Sequence, residues 1–119
     1  MARVAVVTGG TRGIGAATAL ALREAGYRVA VTFVGSVEAS AEFANRHGLS
    51  AYRWSVTDYE ACVKGIAQIE ADLGPVEVLV NNAGITRDAM FHKMTPEAWH
   101  QVIDTNLTGV FNMTHQVWG

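Results

Sequence analysis

The residues with most chemical potential lie in one glycine-rich run, Thr8-Gly9-Gly10-Thr11-Arg12-Gly13-Ile14-Gly15. Glycines in such a run permit a tight turn, let the backbone approach a pyrophosphate closely, and let a helix pack tightly on a strand. If a helix begins at the last of them, its free N–H groups and the positive end of its dipole face the phosphates. The alternative is a turn whose glycines serve chain geometry alone. An NAD site of this kind places an acid about 20 residues beyond the glycines, on the ribose 2′-OH. Ala30 to Ser36 contains none, and Glu38, the first acid, falls inside the next helix. Arg12 can instead pair with a 2′-phosphate through charge-assisted bonds, its alternative being a solvated surface arginine. These residues favour NADP(H).

Other reactive side chains suggest little chemistry. His47, His92, His100 and His115 lack metal-ligand spacing and the carboxylates form no cluster, so no metal is expected. Cys62, the single cysteine, excludes an internal disulfide and reads as a small core residue. Ser36 follows a glycine without the strand–turn–helix elbow of a hydrolase. Trp54, Trp99 and Trp118 read as core or interface anchors, because no basic groove accompanies them.

The elements that must position the glycine run alternate in kind. Val4-Ala5-Val6-Val7 is a continuous apolar run suited to a strand buried on both faces. Ile14, Ala17, Ala21, Leu22 and Ala25 then recur at helical spacing, with Gly26 as the C-terminal cap. Val29 to Phe33 reads as a second strand, Val37 to His47 as a helix closed by Gly48, and Ala51 to Val56 as a third strand. Cys62, Ile66, Ile69 and Leu73 mark a helix face stopped by Gly74-Pro75, and Val76 to Val80 forms a fourth strand running into Asn81-Asn82-Ala83-Gly84. Thr95-Pro96-Glu97 starts a helix with a hydroxyl cap, a proline and an acid. That helix is expected to reach about Asp104, and another to begin near Asn106. The order βαβαβαβ implies an α/β fold: a Rossmann-type, doubly wound parallel sheet with strand order 3-2-1-4, truncated after the fourth strand and the following helices.

Length and composition bound the possibilities further. With 119 residues, the chain holds one domain at most, and residues 1–119 read as one dinucleotide-binding part. Half of the residues are hydrophobic and 17% are charged, enough to bury a core. Nine Lys+Arg against eleven Asp+Glu gives a net charge of −2, which argues against a nucleic-acid partner. The apolar runs fall far short of the roughly 18 residues a membrane span needs. The stretch after Arg3 is broken by Thr8-Gly9-Gly10 and so makes no signal peptide. The expectation is a small soluble protein of the cytoplasm, with no membrane or nucleic-acid partner.

With its motifs in this order, the chain resembles the short-chain dehydrogenase/reductase family over all 119 residues. Thr8-Gly9, followed after three residues by Gly13-Ile14-Gly15, matches the family's cofactor motif. Asn81-Asn82-Ala83-Gly84 matches its fourth-strand motif, and Asn106, within Asp104-Thr105-Asn106-Leu107, matches its catalytic asparagine. Asn82 to Asp88, Phe91 to Met94 and Trp99 to Phe111 resemble the branch that reduces 3-oxoacyl thioesters, first those of coenzyme A and next those of the acyl carrier protein. The resemblance implies NADPH-dependent reduction of a thioester such as acetoacetyl-CoA to the (3R)-hydroxyacyl product.

Residue by residue, it implies that the backbone of Gly9, Gly10, Thr11, Arg12, Gly13, Ile14 and Gly15 holds the pyrophosphate, with Arg12 near the adenosine phosphate. Ser55 and Val56, ending the third strand, would lie against the adenine. Asn82, Ala83, Gly84, Ile85 and Thr86 would line the ribose and nicotinamide, and Asp88 would meet the acyl thioester. Asn106 would interrupt its helix and hold a water of the proton relay. Two positions depart from the pattern. Ser55 stands where the family usually carries Asp or Asn, and Phe33 to Ser40 lacks the arginine common in NADP-dependent relatives.

The family's serine, tyrosine and lysine follow the fifth strand, and no pair here replaces them. Tyr59 and Lys64 are five residues apart, about 140° around a helix, and Tyr27 and Tyr52 have no lysine four residues on. The expectation is the cofactor-binding fragment of such an enzyme, inactive by itself because it lacks the positioned acid. The fourth strand would present an open edge, and Leu107, Val110, Phe111 and Trp118 would lack partners, since relatives use this helix in a homotetramer interface. A reading of another class is a non-catalytic NADP(H)-binding or interaction module.

Overall fold

Residues 3–11, 13–83 and 95–118 are described in the structure, a computed structural model. Strand β1, Val4–Thr8, is buried throughout, and its side chains alternate between two cores. Val4 and Val6 face one cluster and Ala5 and Val7 the other. Helix α1 (Gly13–Glu24), β2 (Arg28–Phe33), α2 (Val37–His47), β3 (Ser50–Arg53), α3 (Tyr59–Leu73) and β4 (Val76–Val80) follow, then α4 (Pro96–Ile103) and α5 (Gly109–Val117). Cys62, Ile66 and Ile69 of α3 and Met113 of α5 cover the face of Val4 and Val6. On the opposite face Ala19 of α1, Ala44 of α2 and Leu49 pack with Ala5, Val7 and the β2 residues Val29 and Val31.

All three strand pairings are parallel, and the order is β3-β2-β1-β4, as the alternation of elements requires. The chain works outward from β1 to β3, then returns across it to place β4 on the other side. That reversal opens a crevice at the C-terminal ends of β1 and β4, where ligands bind in open α/β sheets. Among the described residues β4 pairs with β1 alone, so its other edge is open.

Local chemistry explains several boundaries. Ser36, Asp58 and Thr95 accept the N–H groups of Ala39, Ala61 and Ala98 and so cap α2, α3 and α4. Gly48 ends α2 in the left-handed region, at φ 70°. Arg23 donates to the Gly48 carbonyl and Arg28 to the Leu73 carbonyl. The two guanidiniums therefore serve the C-terminal ends of α2 and α3, and the hollow of about 400 Å³ they line lies at the N-terminal ends of the strands, opposite the crevice.

Three expectations need correction. The α1 residues that touch the core are Gly15 and Ala19, with Leu20 and Leu22 half-buried, whereas Ile14 is 80% exposed and Ala17, Ala21 and Ala25 lie on the outside. Glycine and alanine let α1 lie close to the sheet, so its smallest residues, not its largest, mark the buried face. Strand β3 ends at Arg53, leaving Ser55 and Val56 in a turn. The Ser55 hydroxyl accepts the Thr57 N–H and the Ser55 carbonyl accepts the Asp58 N–H, which bends the chain away from the ladder. Finally, α4 and α5 are not separate helices. A π-helical turn, Asp104–Thr108, joins them, with the Gly109 N–H bonded to the Asp104 carbonyl.

Tyr52 supplies a pH test of the β3–α3 packing. Its hydroxyl donates to the Asp72 carboxylate at 2.7 Å. Burial first, then the bond to Asp72 and its charge, push the phenol from 10.0 up to about 12. The raised folded-state value means the contribution is intact below pH 10.0 and disappears as pH rises through about 12. An ultraviolet tyrosinate titration should show a late step that Tyr52→Phe removes. A late step that survives this substitution would contradict the assignment.

Candidate functional site

The glycines after β1 have distinct roles. Gly9 and Gly13 have φ of 63° and 60°, where a Cβ is strained. A Cβ on Gly10 would come within 2.5 Å of Val31 Cγ1, so Gly10 lets the turn lie against β2. A Cβ on Gly15 would collide with the Gly9 carbonyl and the Asn82 amide, so Gly15 allows α1 to seat under the turn. Gly13 has nothing within 4 Å on its Cβ side and stands at the start of α1. Tight turn, open backbone approach and close helix packing thus fall on Gly9, Gly13 and Gly15, the division of labour that a pyrophosphate site needs.

Thr8 fastens this turn to the end of β4. Its buried Oγ1 accepts the N–H groups of Asn82 and Ala83, both at 2.9 Å, and donates to the Val80 carbonyl at 3.4 Å. Asn82 Nδ2 donates to the Gly9 carbonyl at 3.1 Å, while Gly9 and Gly10 donate to Thr32 of β2. The glycine run and the Asn82-Ala83 segment are therefore one hydrogen-bonded unit at the crevice.

Helix α5 ties the remaining parts to it. Asn81 Nδ2 donates to Thr114 Oγ1 at 3.2 Å, and Asn112 Nδ2, in a residue only 4% exposed, donates to the Val56 carbonyl at 2.9 Å. A Cβ on Gly109 would come within 2.5 Å of Val56 Cγ2, so only glycine allows this approach of helix to turn. Asn106 lies in the π-helical turn directly before α5. Such turns widen the helix locally and are frequent at functional sites. Gly9, Gly10, Thr11, Gly13, Ile14, Gly15, Ser55, Val56, Asn82, Ala83 and Asn106 thus all fall within the described residues. Arg12, Gly84, Ile85, Thr86 and Asp88 lie outside them, so the 2′-phosphate and thioester assignments stay with the sequence.

The sequence reading gave no site role to Thr8, Thr32, Asn81 or Asn112. Thr8 carried a signal, as a hydroxyl closing an otherwise aliphatic strand. Asn112 carried none, because its acceptor is 56 residues away. Cys62 is fully buried and bonds weakly to the Val56 carbonyl, and burial raises its thiol pKa, the opposite of an activated nucleophile. Among the described residues no group of three or more His, Cys, Asp or Glu is arranged to hold a metal, and no helix is long and apolar enough to cross a membrane.

An apolar groove of about 490 Å³ runs along the outer side of α5, lined by Leu107, Val110, Phe111, Thr114, His115 and Trp118. Trp118 is 83% exposed, and Leu107 and Phe111 are also largely bare.

Sheet order, glycine turn and the fourth-strand end fastened to it define a Rossmann-type α/β unit. Residues 3–118 match the model of the short chain dehydrogenase family, and the chain belongs to it. It is 64% identical over 118 residues to the acetoacetyl-CoA reductases of Shinella zoogloeoides and Paracoccus denitrificans, covering 99% of this chain and 49% of each of theirs. It is 44% identical over 117 residues to the 3-oxoacyl-[acyl-carrier-protein] reductase FabG of Staphylococcus aureus strain Mu50, covering 94% of this chain and 48% of that one. The chain spans about half the length of the curated relatives it matches.

Proposed function

We propose that this chain is the cofactor-binding, N-terminal part of an NADPH-dependent reductase that converts acetoacetyl-CoA, or a related 3-oxoacyl-CoA, to the (3R)-hydroxyacyl-CoA. The observation that carries the reading is the Thr8 junction, which makes the glycine turn and the Asn82-Ala83 segment one unit. A nicotinamide dinucleotide bound there would supply hydride to the ketone carbon. The N–H groups at the start of α1 would face its pyrophosphate, with Gly13 leaving the backbone open to it. Asn82 and Ala83 would border the ribose, and Arg12 would meet the 2′-phosphate. Asn106 would hold a relay water in the widened turn, and Asp88 would contact the thioester.

Coenzyme A is favoured as carrier because the relatives named for acetoacetyl-CoA are 64% identical, against 44% for the carrier-protein reductase. The carrier-protein substrate remains the alternative. Turnover of the whole enzyme with acetoacetyl-CoA and with a carrier-bound 3-oxoacyl chain separates them, and reaction of the carrier-bound form alone would overturn the first choice. The chain's own part is binding, since its residues include no tyrosine–lysine pair spaced for proton transfer. The bare face of α5 supports a homotetramer of the whole protein, and a cytoplasmic location belongs to the same reading.

Titration of the protein with NADPH and NADH, followed by nicotinamide fluorescence, tests the cofactor. Saturation by NADPH at least about tenfold tighter than by NADH is expected from a charge-assisted Arg12–phosphate pair. No saturable change at millimolar NADPH would overturn the reading. Equal affinities would remove the role given to Arg12.

A further inference from the structure

We propose that the hollow at the N-terminal ends of the strands is a second binding site, in which the guanidiniums of Arg23 and Arg28 hold the phosphate of a small phosphate monoester. The hollow measures about 400 Å³, within the range of small-molecule sites. Arg23 reaches it from the end of α1, Arg28 from the start of β2 and Ser50 from the start of β3, while Tyr27, Val29 and Leu73 add apolar surface. Among the described residues no Asp or Glu lines it. Strand β2 runs six residues, about 17 Å, between this hollow and the crevice, so both can be filled together.

Capping the helices does not use up the two cations. Arg23 spends its Nε–H on the Gly48 carbonyl and Arg28 one N–H on the Leu73 carbonyl, which leaves each guanidinium four of its five N–H groups. A guanidinium carries a full positive charge against about half a negative charge at a helix C-terminus, so both ends stay cationic. The last carbonyls of α1 are closed by the N–H groups of Ala25, Gly26 and Tyr27. Among the described residues the ion pairs are Arg3 with Glu77 and Arg46 with Glu42, so neither Arg23 nor Arg28 has one. Asp72, beside Leu73 in the chain, is already held by the Tyr52 hydroxyl at 2.7 Å and the Gln68 amide at 2.9 Å. Gly48 leaves room for the Arg23 guanidinium, since a Cβ there would stand 3.2 Å from both Nε and Nη2. A phosphate monoester brings a charge near −2 and three acceptor oxygens, which match two guanidiniums and the Ser50 hydroxyl. A single carboxylate would leave one cation unmatched. The hollow is larger than one phosphate group, and its apolar wall gives the esterified part a place.

An amide chemical-shift titration with phenyl phosphate, and with benzoate as the carboxylate on the same ring, tests the site. The resonances of Gly48, Leu49 and Ser50 should move and saturate with a dissociation constant of about 1 mM or lower for phenyl phosphate, at least about tenfold tighter than for benzoate. Arg23→Gln and Arg28→Gln should each weaken phenyl phosphate at least about tenfold in the same resonances. Both residues are exposed, so neither substitution disturbs the core. Shifts confined to Gly9, Gly13 and Gly15 would place the phosphate at the glycine run and overturn the proposal. So would benzoate binding as tightly as phenyl phosphate, an affinity unchanged in both variants, or no saturable shift at about 10 mM phenyl phosphate.

Discussion

Gly15→Ala should abolish saturable NADPH binding and destabilise the fold by about 3 kcal/mol, the upper part of the usual range for overpacking. The methyl group would meet the Gly9 carbonyl and the Asn82 carboxamide, neither of which can move away easily. Gly9 belongs to the turn itself, and the Asn82 amide is held by its bond to the Gly9 carbonyl. The gain of about 1 kcal/mol from replacing a helical glycine with alanine is too small to compensate. Relief of the clash requires α1 to lift away from the turn, which misplaces the N–H groups proposed to face the pyrophosphate. Gly13→Ala provides the contrast. Nothing stands within 4 Å of its Cβ position, but φ is +60°, so strain alone should cost about 1–2 kcal/mol. Urea unfolding and NADPH titration of both variants check the distinction. An unchanged midpoint for Gly15→Ala would show that the helix is not seated in this way.

Thr8→Val should cost about 1–3 kcal/mol although it preserves shape. The hydroxyl oxygen is an acceptor for two backbone N–H groups, those of Asn82 and Ala83; valine leaves the Ala83 N–H without it in a partly buried place, whereas the Asn82 N–H keeps its bond to the Val80 carbonyl at 3.1 Å. One unsatisfied buried donor costs about 1–3 kcal/mol. Thr8→Ser keeps the oxygen and removes a methyl, so a loss of about 1 kcal/mol is expected. Hydrogen exchange locates the effect: the Ala83 amide should exchange faster in Thr8→Val, more so than that of Asn82, which keeps the Val80 carbonyl, and nearly normally in Thr8→Ser. Unaltered exchange in Thr8→Val would mean that the threonine does not fasten β4 to the turn.

Elements whose ends are set by near neighbours were legible in the sequence. Helix α2 runs from Val37 to His47 as its spacing predicts, because Ser36 caps one end and Gly48 turns left-handed at the other. The start of α4 was equally legible from Thr95-Pro96-Glu97, and β4 from its aliphatic run. Less legible was the length of β3, since Trp54 and Val56 are good strand residues. It is the Ser55–Thr57 turn that stops the strand. The buried side of α1 was misjudged because large residues normally mark a core, whereas here Gly15 and Ala19 are buried to let backbones approach.

The sequence by itself determined the α/β class, the strand order and the identity of the glycine turn, since each follows from alternating local patterns that short-range sterics and burial decide. Only the tertiary structure decided how the turn is held, through Thr8 reaching residues 74 and 75 positions away and Asn112 reaching Val56. It also decided that α4 and α5 are continuous through the turn bearing Asn106. Those contacts join polar groups far apart in the chain, and which of them meet depends on the parallel packing of the strands. A pattern of neighbouring residue types carries no record of that meeting.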